Sequence, residues 1–175
     1  MASDHGGPAA GRLNAWARRN PSHFRRVLNL WPCFRGSGGR VTHIAPDWSE
    51  MRVKIPLNRR TKNYVGTIFG GSLYASVDPH FMFMLIHRLG DDYLVWDKAA
   101  SIKFQKPGKT NLYAVCQLPD HEVAEVKRIL ETQDKVDRTY CLDLVDDAGV
   151  VHAHVEKTVN VRKKSVPGHP QHVAP

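Results

Sequence analysis

The stretch Asn63-Tyr64-Val65-Gly66-Thr67-Ile68-Phe69-Gly70-Gly71-Ser72-Leu73-Tyr74-Ala75-Ser76-Val77-Asp78-Pro79 decides how this chain is read. It passes from a polar loop into an apolar helical pattern, and two adjacent glycines mark the passage. Lacking Cβ atoms, Gly70 and Gly71 let another group approach the backbone closely. The first amides of a helix have no internal acceptor and sit at the positive end of its dipole. Such amides can hold a carbonyl oxygen as it gains negative charge; the same two glycines equally suit tight packing of a helix on a sheet. Asp78 follows Gly71 by seven residues, which on a continuous helix returns it to nearly the same face about 10 Å further along the axis. A carboxylate in so apolar a helix is costly unless it is paired or used. Burial would raise its pKa and suit it to general-base work. Asp78-Pro79 also reads as an N-cap followed by a first-turn proline, which would mark a kink or a helix restart.

Working outward, residues 69–89 carry Phe69, Leu73, Tyr74, Val77, Phe81, Met82, Phe83, Met84, Leu85, Ile86 and Leu89. A helix apolar on nearly every side is a buried one. Upstream, Met51, Val53, Ile55 and Leu57 alternate with Arg52, Lys54 and Pro56, a half-buried strand, with a weaker strand at 41–45 ahead of it. Asn20-Pro21 opens an amphipathic helix bearing Phe24, Val27, Leu28 and Trp31, and Pro32 ends it. Downstream, residues 94–105 form a long strand with Trp96, Ala100, Ile102 and Phe104 on one face; strict alternation puts Asp97 with Val95, Ala99 and Ser101 on the other. A strand at 112–118, a short helix from Pro119-Asp120, and a hairpin of 140–145 with 150–161 around Gly149 complete the order. One antiparallel sheet wrapped around a long central helix, with an extra N-terminal helix, is the simplest packing: an α+β fold.

The chain has 175 residues, 42% hydrophobic and 24% charged, which suits one domain over residues 12–164. Residues 1–11 and 165–175 read as a disordered start and a flexible tail. No apolar run approaches the roughly 20 residues that span a bilayer. Cys33, Cys116 and Cys141 fit neither a disulfide framework nor zinc spacing, so a cytoplasmic location is expected. The formal charge is +8, and between Asp4 and Asp47 there are seven arginines and no acidic residue. Arg59-Arg60-Thr61-Lys62 adds a second basic cluster and Arg162-Lys163-Lys164 a third. Basic patches of this kind attract nucleic acid, an anionic membrane surface or the phosphates of a nucleotide-like group, or are simply solvated. His152, His154 and Glu156 alternate along a strand, but three side chains on one strand do not close a tetrahedral shell, and no metal is expected.

The spacing of Asn63, Gly66, Phe69, Gly70, Gly71 and Asp78 resembles the PaaI-like branch of hotdog-fold thioesterases, which reads N…G…HGG…D at the same offsets. The longer strings NYVGTIFGGSLYASVDP and VWDKAASIKFQKPG look closer still to a domain-of-unknown-function branch of that superfamily, with the C-terminal domain of YiiD as a relative. The resemblance runs from about Asn20 to Lys164. It implies a hotdog fold and a hydrolase acting on an acyl thioester, carried by coenzyme A or by an acyl-carrier protein. No cofactor is implied beyond coenzyme A as part of the substrate. By the same resemblance the Gly70 amide would polarise the thioester carbonyl with Gly71 as neighbour, and Asn63 would orient substrate or water. Asp78 would be general base or nucleophile, and Asp97 stands where some relatives carry a helper serine. Phe69 replaces the family histidine; with Ser72 it would contact substrate, while Arg59, Arg60 and Lys62 would meet coenzyme A phosphates. An Asp97 paired to Lys98 or an arginine is the plain alternative.

Distance adds a constraint. A base some 10 Å along a helix from an oxyanion hole cannot serve water attacking the same carbonyl, because reacting atoms must lie about 3 to 3.5 Å apart. Asp78 of one subunit would therefore work with Gly70 of another, in a homodimer or tetramer. The rival readings are a non-catalytic acyl-thioester or lipid-binding protein of the same fold, and a basic nucleic-acid-binding protein, for which no base-reading motif is present.

Overall fold

Prolines punctuate the first third of the chain. The computed structural model describes residues 8–164, with side chains from Arg12 onward. The segments expected to be unstructured, 1–11 and 165–175, lie almost wholly outside the described residues; helix α1, Pro8–Arg19, opens inside the first. Pro21 and Pro32 each stand at the first turn of a further helix, α2 (Pro21–Leu30) and α3 (Pro32–Ser37). There the missing amide is no loss and φ is already helical. The expected N-terminal helix is thus the middle one of three. Pro32 does end it, but by starting the next.

Six strands follow: β1 (Arg40–Ile44), β2 (Glu50–Ile55), β3 (Tyr93–Phe104), β4 (Leu112–Gln117), β5 (Lys135–Val145) and β6 (Val151–Lys163). All neighbouring pairs are antiparallel, in the order β1-β2-β4-β5-β6-β3. The central helical segment comprises α4 (Gly70–Ala75) and α5 (His80–Leu89), and α6 (Asp120–Thr132) packs beside them. Phe81, Met84, Leu85 and Leu89 of α5 join Val53, Ala114, Leu144, Val155 and Val159 of the sheet in one core. Phe81 stacks on Tyr140 at 4.7 Å between centroids. Each fully buried side chain of this size stabilises by roughly 1.5–3 kcal/mol.

Proline also divides the central segment. Residues 76–79 leave the helix, and α5 restarts after Pro79. Asp78 does not cap this restart, since no side-chain cap hydrogen bond forms there. The N-cap reading of Asp78 is corrected: its carboxylate goes elsewhere, and only the break remains.

The two sheet edges differ. At the β1 edge, the Asn29 side chain of α2 donates to the Val41 carbonyl at 2.9 Å and accepts from the Val41 amide at 2.8 Å. At the other edge β3 has β6 as its one partner among the described residues and is exposed over much of its length. A bulge at Lys98 interrupts its register: Asp97 pairs with Val159, but Ala99 pairs with Thr158. The extra residue flips the alternation. Asp97 therefore shares its face with Val95, Ala100 and Ile102, opposite the buried phase of β6, and not with Ala99 and Ser101.

Candidate functional site

Lys157 is the residue around which the site is built. It lies on β6 in phase with Val155, Val159 and Val161, so the sheet turns it towards the core, where 1% of it is exposed. A buried ammonium requires compensation. Its Nζ donates to Asp78, through both Oδ1 and the backbone carbonyl, and lies 2.8 Å from Oδ2 of Asp97. The Tyr74 hydroxyl donates to the same Asp78 Oδ1 at 2.6 Å. The break at 76–79 positions this cluster: it frees the Asp78 carbonyl from helical bonding and turns it to the lysine.

Asp78 and Asp97 are thus brought together, bridged by a lysine that pattern reading did not single out. The plain alternative for Asp97 is also corrected, because Lys98 pairs with Asp137 instead. The two carboxylates have unlike environments. For Asp78, burial pushes the pKa up, but the Lys157 and Tyr74 hydrogen bonds and the lysine charge outweigh it, and the net shift is downward. The expectation of a raised Asp78 pKa is therefore overturned. Asp97 is shifted upward, by burial first and by the neighbouring Asp78 charge, against the pull of Lys157. Asp97 Oδ1 is buried without a hydrogen-bond partner among the described residues. Every side-chain hydrogen bond of Asp78 falls on Oδ1, which leaves Oδ2 of this half-exposed carboxylate for water. Such an arrangement separates the two carboxylates in acidity, Asp78 being the more readily ionised of the pair.

Around the glycines the structure is more crowded than the sequence suggests. A Cβ on Gly70 would meet the ring of Phe104 at 2.8 Å, and one on Gly71 would meet the Phe69 ring at 2.4 Å. The close approach that glycine permits is here made by two aromatic rings, each more than half exposed. The loop leading to α4 is held from several sides. The Phe69 amide donates to the Thr61 carbonyl at 2.7 Å and the Ile68 amide to that of Gly108 at 2.9 Å. Asn63 Oδ1 accepts from the Thr67 amide at 3.0 Å, and its Nδ2 donates to Thr67 Oγ1 at 2.9 Å. The Asn63 side chain therefore closes its own loop. Ser72 is buried, whereas Arg59, Arg60 and Lys62 are exposed on the approach. Arg60 lines a concavity of about 580 Å³ with Leu30, Pro32, Arg35 and Gly36. The alternating histidines are engaged separately, His152 with Asp146 and His154 with Asp143.

His80, next to the break, is fully buried with neither ring nitrogen bonded among the described residues. Burial, assisted by the Lys157 charge, depresses its pKa to about 3. His87 lies against Trp48 at 3.8 Å between ring centroids and falls to about 4 for the same first reason, burial.

Solved structures of similar shape agree on the fold. A Pseudomonas aeruginosa protein of unknown function, a probable thioesterase, superposes with a TM-score of 0.73 at 18% identity, covering 82% of this chain and 96% of its own. A thioesterase from Haemophilus influenzae gives 0.61 at 11% identity over 85% and 94%. Thioesterase superfamily member 2 from Mus musculus gives 0.56 at 16% identity over 78% and 93%. At these identities the likeness shows a thioesterase-like hotdog fold and nothing finer. No curated protein sequence matches the chain. The family model of a domain of unknown function, DUF4442, matches residues 20–161, a span that contains every strand except the last two residues of β6, and the chain belongs to that family.

Proposed function

We propose that this protein is an acyl-thioester hydrolase, with acyl-coenzyme A as the substrate and its site shared between two copies. The observation that carries the reading is the Asp78–Lys157–Asp97 cluster: two carboxylates of opposite pKa shift held on one buried ammonium. Titratable groups whose environments push them apart mark a place for acid–base chemistry, and of the two Asp78 is the one with an oxygen open to water. In the proposed step, water attacks the thioester carbonyl carbon and gives its proton to Asp78 Oδ2. The carbonyl π electrons move to oxygen, held by the Gly70 amide of the partner subunit. The intermediate then collapses, the C–S bond breaks, and the sulfur leaves with the proton returned from Asp78.

The unpaired β3 edge supports the second copy. Twelve residues with bonding groups free along one side form a template for another strand. Asp97 lies on that strand, so pairing of two such edges would bring the carboxylate cluster to the junction. The exposed Arg59, Arg60 and Lys62 would meet the phosphates of coenzyme A. A cytoplasmic location is proposed with this substrate; among the described residues no helix is long and apolar enough to cross a membrane.

A second reading has its own observation. The lysine lowers the Asp78 pKa, which weakens it as a base, and Phe69 covers Gly71 where relatives carry histidine. Both suit a binding protein that no longer turns over. Hydrolysis of a panel of acyl-coenzyme A esters separates the two. The hydrolase reading expects turnover that falls at least about 100-fold in Asp78→Asn and Asp78→Ala, the scale of a lost general base. Equal turnover in those variants, or a strictly monomeric active protein, overturns the mechanism. Tight binding of an acyl-coenzyme A without turnover establishes the second reading.

A further inference from the structure

We infer that the outer face of α2 and α3 docks on an anionic phospholipid surface. The inference is independent of the hydrolase reading. On α2 the buried side chains are Phe24 and Leu28, which face the core. The opposite side carries His23, Arg26, Val27 and Leu30, with Trp31 at its end. Leu30 is 69% exposed, Trp31 44% and Val27 39%. These three stand at i, i+3 and i+4, so they form one ridge and not scattered surface residues. A large aliphatic side chain left in water beside a tryptophan is what an interfacial helix presents to the headgroup–acyl boundary.

The helices that carry this ridge supply positive charge alone. Arg19, Arg25, Arg26, Arg35 and Arg60 form no ion pair among the described residues; Arg18 is occupied by Asp91. The chain supplies no carboxylate of its own between Asp4 and Asp47. At the foot of the ridge, Leu30 and Pro32 line the 580 Å³ concavity together with Arg35 and Arg60. Two unpaired guanidiniums in an open hollow, rimmed by an exposed leucine, match a lipid phosphate with an acyl chain beside it. A nucleic acid would be served by the arginines and Trp31, but Leu30 and Val27 have no π-face to offer a base.

Position in the fold separates this face from the open strand edge. α2 packs along β1, the first strand of the sheet, whereas the unpaired edge is β3 at the far end. A second copy joined through β3 would leave the α2–α3 face open, and two such faces would engage a membrane together.

The test is partition of the full-length chain onto phosphatidylcholine vesicles and onto equimolar phosphatidylcholine–phosphatidylglycerol vesicles, measured by co-sedimentation over a salt series. Binding is expected on the anionic vesicles alone, weakening as salt rises. Arg26→Ala and Arg35→Ala should each reduce it about fivefold, whereas Arg52→Ala, on the exposed side of β2, should not. Leu30→Ser should weaken binding and leave its salt dependence in place. Tryptophan emission should shift to the blue on vesicles, and this shift should vanish in Trp31→Phe. Thermal unfolding of each variant checks that it remains folded. Equal partition onto neutral vesicles, unchanged binding in both arginine variants, or binding of a single-stranded oligonucleotide with none to anionic vesicles overturns the inference.

Discussion

Replacing Lys157 by methionine tests whether the carboxylate cluster is held together as described. Methionine nearly matches the lysine stem in volume, so the core stays filled and the change isolates the ammonium. Removal leaves Asp78 and Asp97 facing each other without their bridging cation, and leaves the Asp78 backbone carbonyl without its donor. Breaking a buried pair from one side costs about 3–5 kcal/mol. Here the lysine side chain is 2% exposed, but those of Asp78 and Asp97 are 43% and 26% exposed. Water relieves part of the cost, so a loss of about 2–3 kcal/mol is expected. For a domain of this size that lowers the melting temperature by roughly 5–10 °C. The sign depends on pH. Without the ammonium the two carboxylates repel, and acidification that protonates one of them should recover stability lost at neutral pH. Urea unfolding at several pH values reads both effects. Adding Asp78→Asn and Asp97→Asn to the Lys157→Met variant should restore most of the loss, because the uncompensated charges then go too. A Lys157→Met protein as stable as the parent at pH 7, or a triple variant no better than the single one, would refute the reasoning.

Two further predictions rest on burial and on backbone shape. His80 and His87 have pKa values of about 3 and 4, against 6.5 when unfolded. The unfolded chain therefore binds protons that the native one refuses, so stability is full above pH 6.5 and falls as pH drops from there towards 4. The denaturation midpoint followed over that range should decline steeply, and His80→Phe with His87→Phe should flatten it; an unchanged slope would exclude these rings as the cause. Gly38 has φ +84°, and a Cβ there would stand 2.3 Å from Cγ2 of the buried Thr61, whereas Gly149 with φ +77° faces open space. Gly149→Ala should cost about 1 kcal/mol for the backbone alone and Gly38→Ala clearly more, about 3 kcal/mol, in a comparison of unfolding midpoints.

Much of the architecture was legible because its signals are local. Alternation marks β2, the Asn20-Pro21 pair marks α2, and the apolar density of residues 69–89 marks the helical centre. What escaped came from pairing. One extra residue at Lys98 reverses every face beyond it on β3, and nothing in YLVWDKAASIKF announces a bulge. Pro32 was read as a stop when it was equally a start. The site divides in the same way. Asp78 stands out as a carboxylate in apolar company and Asp97 by resemblance alone, and the structure places both on one lysine. Lys157 was passed over, although a signal existed: Val155, Val159 and Val161 share its phase, so a lysine there is buried and needs partners. Asn63 is marked by resemblance and Gly70-Gly71 already by their place at a loop-to-helix junction, but the Asn63 amide is committed to Thr67 and the glycines lie under aromatic rings.

The Asn29 clasp on Val41 has a consequence for assembly. A sheet with two open ends can add copies at either end and grow without limit. In this molecule the clasp takes up the amide and carbonyl of Val41 on its side away from β2, and α2 packs against that strand. Among the described residues β3 is the sheet end left without such a clasp. Two copies that met there would each cover the other's open end, so the pair would be a terminus and not the start of a filament. Asn29, distant from every carboxylate of the cluster in the order of the sheet, would then be the residue that makes such association finite.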